Sequence, residues 1–166
     1  SLSEDDIGFS VSPRINAASR MGIPMEAFKL LTTSDETVAD MLVDYLNDIN
    51  EERKGLVAAM VKEMRHVVED RLLHDKALIV LGNPKWKPSL LGLAANALLP
   101  AYGKPVFLWG RENGTDIKGS CRSDGSVNLV VLMQKVSEGV LEAFGGHALS
   151  GGFSISQERI HELEVE

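Results

Sequence analysis

The side chains best suited to binding an anion lie in a short glycine-bracketed segment, residues 119–123, with the sequence Gly-Ser-Cys-Arg-Ser. Ser120 and Arg122 are two residues apart, so in a strand both would project to one face. A hydroxyl and a guanidinium on one face could hold a phosphate together, and Ser123 follows them directly. The alternative is an ion pair between Arg122 and one of the chain's many surface carboxylates, and the spacing alone favours that alternative.

A second segment, residues 144–153, combines four glycines with one histidine, His147. Glycines that leave a helix can simply form its C-terminal cap and a tight turn. The pair Gly151 and Gly152 also suits the close approach of another backbone or a ligand, and His147 would then offer a donor near neutral pH. The sequence leaves both interpretations open.

A third candidate is a short predicted helix on which Arg14 and Arg20 flank Asn16. Such a helix could present two guanidiniums and an amide to a ligand. Surface arginines usually do nothing specific, so the residues alone favour the interpretation without a ligand.

Signatures of the common hydrolases are absent from the sequence: it has no Gly-rich Walker loop, no Gly-x-Ser-x-Gly elbow and no His-Glu-x-x-His motif. Two of the four histidines, His66 and His74, are eight residues apart on a predicted helix, which is too far for a shared ligand set. The dipeptide of His74 and Asp75 is one that some phosphohydrolases use, but without partner ligands we interpret it as a solvated helix end. We therefore predict no metal site made from this chain alone.

Composition limits the classes of function. The chain has 166 residues, of which 44% are hydrophobic and 25% charged, and this is enough for a folded core. Its formal charge of −7 argues against nonspecific nucleic-acid binding, so any such role needs a local site. One cysteine, Cys121, cannot form an internal disulfide, and we expect a cytoplasmic protein. No apolar run is long enough for a membrane span, and a first residue other than Met suggests a piece of a longer chain.

The elements that must position these residues begin with helices. After an extended start, the pattern predicts a short helix over residues 14–21 and a second one from Pro24. Apolar residues at helical spacing then predict a long helix over 35–73, capped by Ser34 or Asp35. Such a rod is typical of a connector between two bodies, with a solvated middle at the charged residues 50–54.

The rest of the chain alternates between strand and helix patterns. It predicts an α/β fold whose mixed, partly parallel sheet is flanked by helices. The predicted strands and helices, in chain order, are strand 77–81, helix 90–99, strand 105–109, strand 118–123, helix 127–144, strand 152–155 and a closing helix from residue 157.

Taken in order, four motifs resemble the carboxy-terminal part of RecJ-type single-stranded-DNA exonucleases of the DHH phosphoesterase superfamily. Residues 13–20 look like that family's Pro-Arg-(Ile/Leu)-Asn-Ala-Ala-Gly-Arg motif, with Ser19 in place of Gly, and residues 46–53 like its connecting-helix pattern with Asn-x-x-Arg. Residues 119–123 look like its Gly-Ser-x-Arg-Ser element, and residues 144–148 like its Phe-Gly-Gly-His-x signature, both in the DHHA1 domain.

This resemblance implies three parts. Residues 1–33 would be the C-terminal remnant of a DHH catalytic domain, residues 34–74 a long connecting helix, and residues 75–166 a DHHA1 substrate-binding domain. The partners it implies are single-stranded nucleic acid and the missing N-terminal DHH domain. The family's two divalent metals, Mn²⁺ or Mg²⁺, are held by that missing domain, so no metal ligand or catalytic residue is expected in this chain.

The resemblance also implies roles for single residues. Ser120 and Arg122 would hold a terminal 5′ phosphate, and His147 with the turn at Gly145 and Gly146 would contact the scissile region. Arg14 would contact the strand. The remaining residues of the expected substrate-binding set are Asn16, Arg20, Lys87 and Ser123.

Several positions depart from the family pattern. Within residues 86–97, Lys87 replaces a His and Ala97 an Arg. Lys87 can still meet a phosphate as a point charge. Trp86 could stack on a base or belong to the core. These departures keep two alternatives open: a DHH/DHHA1 phosphoesterase acting on short oligonucleotides or small phosphorylated nucleotides, or a degenerate paralogue that binds nucleic acid without cleaving it.

Overall fold

A computed structural model describes residues 3–112 and 116–163 of the chain. The chain divides into two compact units, Ser1–Ala58 and Ala59–Glu166. The helices are α1 (Ser12–Met21), α2 (Pro24–Thr32), α3 (Glu36–Asp70), α4 (Pro88–Tyr102), α5 (Leu129–Met133) and α6 (Ile160–Leu163). The strands are β1 (Ile79–Gly82), β2 (Val106–Glu112), β3 (Asp116–Arg122), β4 (Ala143–His147) and β5 (Ser150–Ile155).

The predicted extended start is wrong. The chain is helical from residue 4 and forms a short π-helix over Asp6–Val11. Ser3 and Asp6 reciprocally cap the helical start at residue 4. The Asp6 carboxylate accepts hydrogen bonds from the Ser3 backbone N–H and hydroxyl, and the Asp6 N–H donates to the Ser3 hydroxyl at 3.2 Å. These bonds from Ser3 also hold the pKa of Asp6 below its usual value. The pair satisfies N–H groups that a helix start leaves without partners.

The next helices of the first unit are close to those predicted. Helix α1 ends where Gly22 adopts a left-handed φ of 87°, which closes a helix without a steric penalty. At the start of α3, the Asp35 carboxylate accepts from the N–H groups of Thr37 and Val38 at 2.9 and 3.2 Å, so Asp35 is the cap rather than Ser34. A small core of Ala18, Ala27 and Leu46 joins α1, α2 and α3.

Helix α3 is continuous for 35 residues. Its middle was predicted to be solvated, and this is wrong for Asn50, which is buried at 2% exposure and accepts a hydrogen bond from Arg53. Glu51 and Lys54 are exposed there as expected. The helix ends at Asp70 instead of residue 73, because Leu72 adopts a left-handed φ of 53° that cannot continue it.

The second unit contains one mixed five-stranded sheet, in the order β1-β2-β3-β5-β4, and this confirms the predicted fold class. Strands β1 and β2 are parallel and joined by α4, while the other neighbours are antiparallel. One face of the sheet packs against α5 and α6. The hydrophobic core between this face and the two helices includes Phe107, Cys121 and Phe153 of the sheet and Met133 of α5. Burial raises the pKa of the Cys121 thiol to about 11, so the thiol stays neutral at physiological pH.

The predicted helix over residues 127–144 is wrong. Helix α5 spans only Leu129–Met133, where the Asn128 side chain caps it by accepting from two backbone N–H groups. Residues 143–147 instead form strand β4, because their backbone groups pair with β5. The glycines at 145 and 146 weaken any helix there, and helical spacing of the preceding apolar residues does not reveal this nonlocal pairing.

Candidate functional site

The register of three adjacent strands lines up the two motifs that the sequence suggested. Arg122 of β3 pairs with Ser150 of β5, and Ser150 pairs in turn with His147 of β4. Directly paired residues of a sheet project to the same face. We call these three residues, Arg122, Ser150 and His147, the polar row.

A second row runs beside the polar row on the same face. Ser120 of β3 pairs with Gly152 of β5, and Gly152 pairs with Gly145 of β4. We call Ser120, Gly152 and Gly145 the glycine row. A Cβ atom added at Gly145 would meet nothing within 4 Å, and one added at Gly152 would meet only the carbonyl oxygen of Gly119 at 3.4 Å. The backbone of β5 and β4 is therefore open to a ligand beside Ser120 and the polar row.

Cys121 shows which face of the sheet carries the two rows. Its side chain is fully buried with Met133 in the core on the α5 side. Because side chains alternate along a strand, Ser120 and Arg122 project to the other face. That face is the one on which α4 packs against β2 and β3.

The polar row is closed at one end and open at the other. A Cβ atom added at Gly92 of α4 would lie 2.6 Å from the Arg122 Nη2 atom, so the guanidinium lies directly against this helix. Arg122 Nη1 donates to the carbonyl oxygen of Cys121 at 2.7 Å. At the other end, His147 is exposed on β4, the last strand of the sheet.

A tight hairpin holds His147 opposite Ser150. Gly146 has a φ of 142°, and a Cβ atom there would lie 2.3 Å from the Ser150 carbonyl oxygen. No side chain fits at this position, because both the backbone conformation and the close approach require glycine. The glycines of residues 144–153 therefore belong to a β-hairpin and not to a helix exit.

Ser123, which follows Arg122, stabilises the loop after β3. Its side chain is buried, and its hydroxyl donates to the Val127 carbonyl oxygen at 2.9 Å and accepts from the Gly125 N–H at 3.1 Å. Its backbone N–H donates to the carbonyl oxygen of Leu149, in the β4–β5 turn. The Ser123 hydroxyl is thus engaged within the protein, where it closes the loop after Arg122.

Lys87 lies away from the backbone of the polar row. It is exposed at the N-terminal cap of α4, which follows the carboxyl end of β1. Arg122 instead pairs with Val106, the first residue of β2. The long Arg122 side chain reaches α4 at Gly92.

Trp86 belongs to the protein interior. It is 4% exposed, and its indole N–H donates to the Glu63 carboxylate at 3.0 Å. The other Glu63 oxygen accepts from the Asn83 side chain at 2.9 Å. The buried position excludes stacking of Trp86 on a base and agrees with the alternative, a tryptophan of the core.

The remaining expected residues lie in the first unit. Arg14 Nε donates to the Asn47 side-chain oxygen at 2.9 Å, and Arg14 Nη1 donates to the Ser10 carbonyl oxygen at 2.7 Å. Asn16 is exposed on α1, and Arg20 is partly exposed near its end. Asn47 was not among the expected site residues, although it stands in the motif at residues 46–53.

The residues described provide no metal centre. No group of three or more His, Cys, Asp or Glu side chains within residues 3–112 and 116–163 could hold a metal ion. In the same part of the chain, no helix is long and apolar enough to cross a membrane.

Comparisons with known proteins show the family of the chain and its fold. The family model described as "DHHA1 domain" matches residues 74–164, and the chain therefore belongs to the DHHA1 domain family. It is 30% identical over 161 residues to the single-stranded-DNA-specific exonuclease RecJ of Bacillus subtilis, which covers 96% of this chain. It is 32% identical over 152 residues, 92% of the chain, to the protein of the same name from Thermus thermophilus.

Solved RecJ structures share the fold of the chain. The Thermus thermophilus RecJ structure in complex with Mg²⁺ matches 96% of this chain with a TM-score of 0.81 and 30% identity. A structure of exonuclease RecJ bound to manganese matches the same share with a TM-score of 0.82 and 31% identity. The chain spans only 20% and 21% of the two curated relatives, and 24% and 39% of the two structures.

The contact between Gly92 and Arg122 gives a testable prediction. In the Gly92→Ala variant we expect the free energy of unfolding to stay the same or to rise by up to about 1 kcal/mol, since Ala favours a helix interior. The Arg122 guanidinium must move, because it is the flexible group that meets the new methyl. Urea unfolding and the NMR resonance of Arg122 Nε–H measure the two effects.

Gly55→Ala is the matched control, because Gly55 lies inside α3 with nothing within 4 Å of an added Cβ. It should give a similar change in stability and leave the Arg122 resonance in place. An unchanged Arg122 resonance in Gly92→Ala would contradict the described packing.

Proposed function

We propose that this chain is the substrate-binding part of a RecJ-like, metal-dependent exonuclease that hydrolyses phosphodiester bonds of single-stranded DNA. Two observations support the proposal: the relatives of the chain carry the name of that enzyme, and the chain spans a fifth of the two curated relatives compared. The observation that carries it is the pair of rows on the α4 side of the sheet, which we call the open face because the backbone of β5 and β4 is uncovered there at Gly152 and Gly145.

The two rows have the properties that a phosphate chain requires. Arg122 presents a permanent positive charge in a planar group that matches phosphate oxygens. Ser120 adds a hydroxyl on the same face, and Gly145 and Gly152 let a sugar-phosphate backbone approach the sheet. We assign the terminal 5′ phosphate to Ser120 and Arg122.

The closed end of the polar row suggests how a chain end is recognised. The Arg122 guanidinium lies against α4 at Gly92, so a polynucleotide cannot continue past it on that side. A phosphate at the end of a strand can enter such a site. His147, with Gly145 and Gly146, lies toward the open edge and would contact the region where the bond is cut.

We assign supporting roles in substrate binding to the other residues of the expected set. Lys87 would meet a phosphate as an exposed point charge at the start of α4, and the Ser123 hydroxyl would hold the loop behind Arg122. In the first unit we assign contacts with the strand to Arg14, Asn16 and Arg20. The Asn47 side chain would fix the orientation of Arg14.

Catalysis is assigned to a missing N-terminal DHH domain. The relatives whose structures were solved with Mg²⁺ or Mn²⁺ are named RecJ, and the residues described here do not fit a metal centre. This chain would therefore bind and orient the substrate while the other domain supplies the metal ions. We assign no step of bond cleavage to this chain.

The exposed apolar surface of the first unit supports the proposal that the missing domain packs there. Large apolar side chains are exposed on it, including Phe9 at 79%, Met25 and Phe28 at 58%, and Leu31 at 64%. Such a surface is typical of one that another domain covers. We propose residues 1–33 as the end of the DHH domain, residues 34–74 as the connecting helix and residues 75–166 as the DHHA1 domain, in a cytoplasmic protein.

The first test is binding of a short single-stranded oligonucleotide, with or without a 5′ phosphate, followed by fluorescence anisotropy at one low salt concentration. We expect the 166-residue chain to prefer the phosphorylated end. In Arg122→Ala this preference should fall about 10-fold or more, because a charge-assisted hydrogen bond to phosphate is lost. Arg71→Ala removes an exposed arginine from the same unit and should keep the preference. An Arg122→Ala variant that keeps it would refute the assignment.

The second test concerns catalysis. We expect no release of nucleotides when the purified 166-residue chain is incubated with labelled single-stranded DNA and Mn²⁺ or Mg²⁺, because two-metal hydrolysis needs a set of ligands that residues 3–112 and 116–163 do not provide. The complete parent protein, which contains this chain, should release nucleotides in the same assay. Metal-dependent cleavage by the chain alone would overturn the division of roles.

A further inference from the structure

The position of Ser150 in the polar row points to a third side chain that contacts the substrate. Neighbouring strands lie about 4.8 Å apart, so the backbones of Arg122 and His147 are about 10 Å apart across the sheet. Ser150 lies between them on the same face, because it pairs with both. A ligand that reaches from Arg122 to His147 must pass over Ser150.

The Ser150 hydroxyl is free to serve such a ligand. The residue is partly exposed, and none of the described residues forms a hydrogen bond with its hydroxyl. The nearby Ser123 differs, since its hydroxyl is buried and has two partners within its own loop. A hydroxyl rotates to place its one donor, so Ser150 can meet an acceptor on either side of it.

The surroundings favour a phosphate oxygen as that acceptor. Arg122 is permanently charged and carries only donors, and Ser150 offers an O–H beside it. The neighbouring Gly152 and Gly145 leave the backbone uncovered, so a phosphodiester chain can lie close to the sheet. No carboxylate belongs to either row.

We propose that Ser150 donates a hydrogen bond to a phosphate oxygen of the bound strand, between the contacts of Arg122 and His147. The strand then crosses β3, β5 and β4 in that order, from the end closed by α4 to the open edge at β4. This inference rests on the proposed function and adds to it a contact residue and the path of the strand.

The test compares variants of the 166-residue chain in the same anisotropy assay with a 5′-phosphorylated single-stranded oligonucleotide. Ser150→Ala should weaken binding about 3- to 10-fold, the range of one hydrogen bond. Ser150→Thr keeps the hydroxyl and should restore most of the affinity. Ser154→Ala is the control, because Ser154 lies on the same strand and face, four residues away, and pairs with Lys118 and Ala143 instead.

The outcomes separate the two proposals. Loss in Arg122→Ala and in Ser150→Ala, with Ser154→Ala unchanged, supports both. Loss in Arg122→Ala with full affinity in Ser150→Ala overturns the role of Ser150 and leaves the proposed function standing. Full affinity in Arg122→Ala, or no binding by the unsubstituted chain, overturns both. Equal loss in Ser150→Ala and Ser150→Thr also overturns the role of the hydroxyl.

Discussion

Strand β5 lies between β3 and β4, and its pairing with both fixes the register on which the candidate site depends. A slip of one residue in either ladder would turn Arg122 or His147 toward the opposite face. In the β3–β5 ladder the opposite face prevents such a slip, because Phe153 and Ile155 of β5 are buried there with Cys121 of β3. Strand β4 is exposed along its length, and its register depends on the tight hairpin with Gly146 against the Ser150 carbonyl oxygen.

Close packing then gives the open face its shape. Glycine at 92 leaves room for the Arg122 guanidinium beside α4, and glycine at 146 permits the tight hairpin that brings His147 opposite Ser150. The glycines of the second row leave bare backbone between these contacts. The candidate site is therefore defined as much by missing side chains as by charged ones, and Arg122 is its permanent positive charge in a chain whose net charge is −7.

Local patterns predicted much of this fold. The βαβ unit followed from two apolar runs and the helix between them. The C-terminal end of α1 followed from Gly22, and the start of α2 followed from Pro24. The prediction of a helix over residues 127–144 failed because β4 forms only by pairing with another strand. The apolar spacing of these residues is compatible with a helix or a strand. Ser120 and Arg122 share a face as their spacing predicted. The alignment of Arg122 with Ser150 and His147 required the nonlocal register, and so did the pairing of Arg14 with Asn47.

The central claim is that the open face across β3, β5 and β4 binds the phosphorylated end of a strand. NMR titration of the isotopically labelled chain with a 5′-phosphorylated thymidine dinucleotide tests it most directly, because backbone amides report position residue by residue. The account predicts that the largest shifts occur at Ser120, Gly145 and Gly152, with the side-chain resonance of Arg122 moving in parallel. Shifts confined to the first turn of α4 around Lys87, or to residues 3–58, with none in β4 and β5, would contradict it.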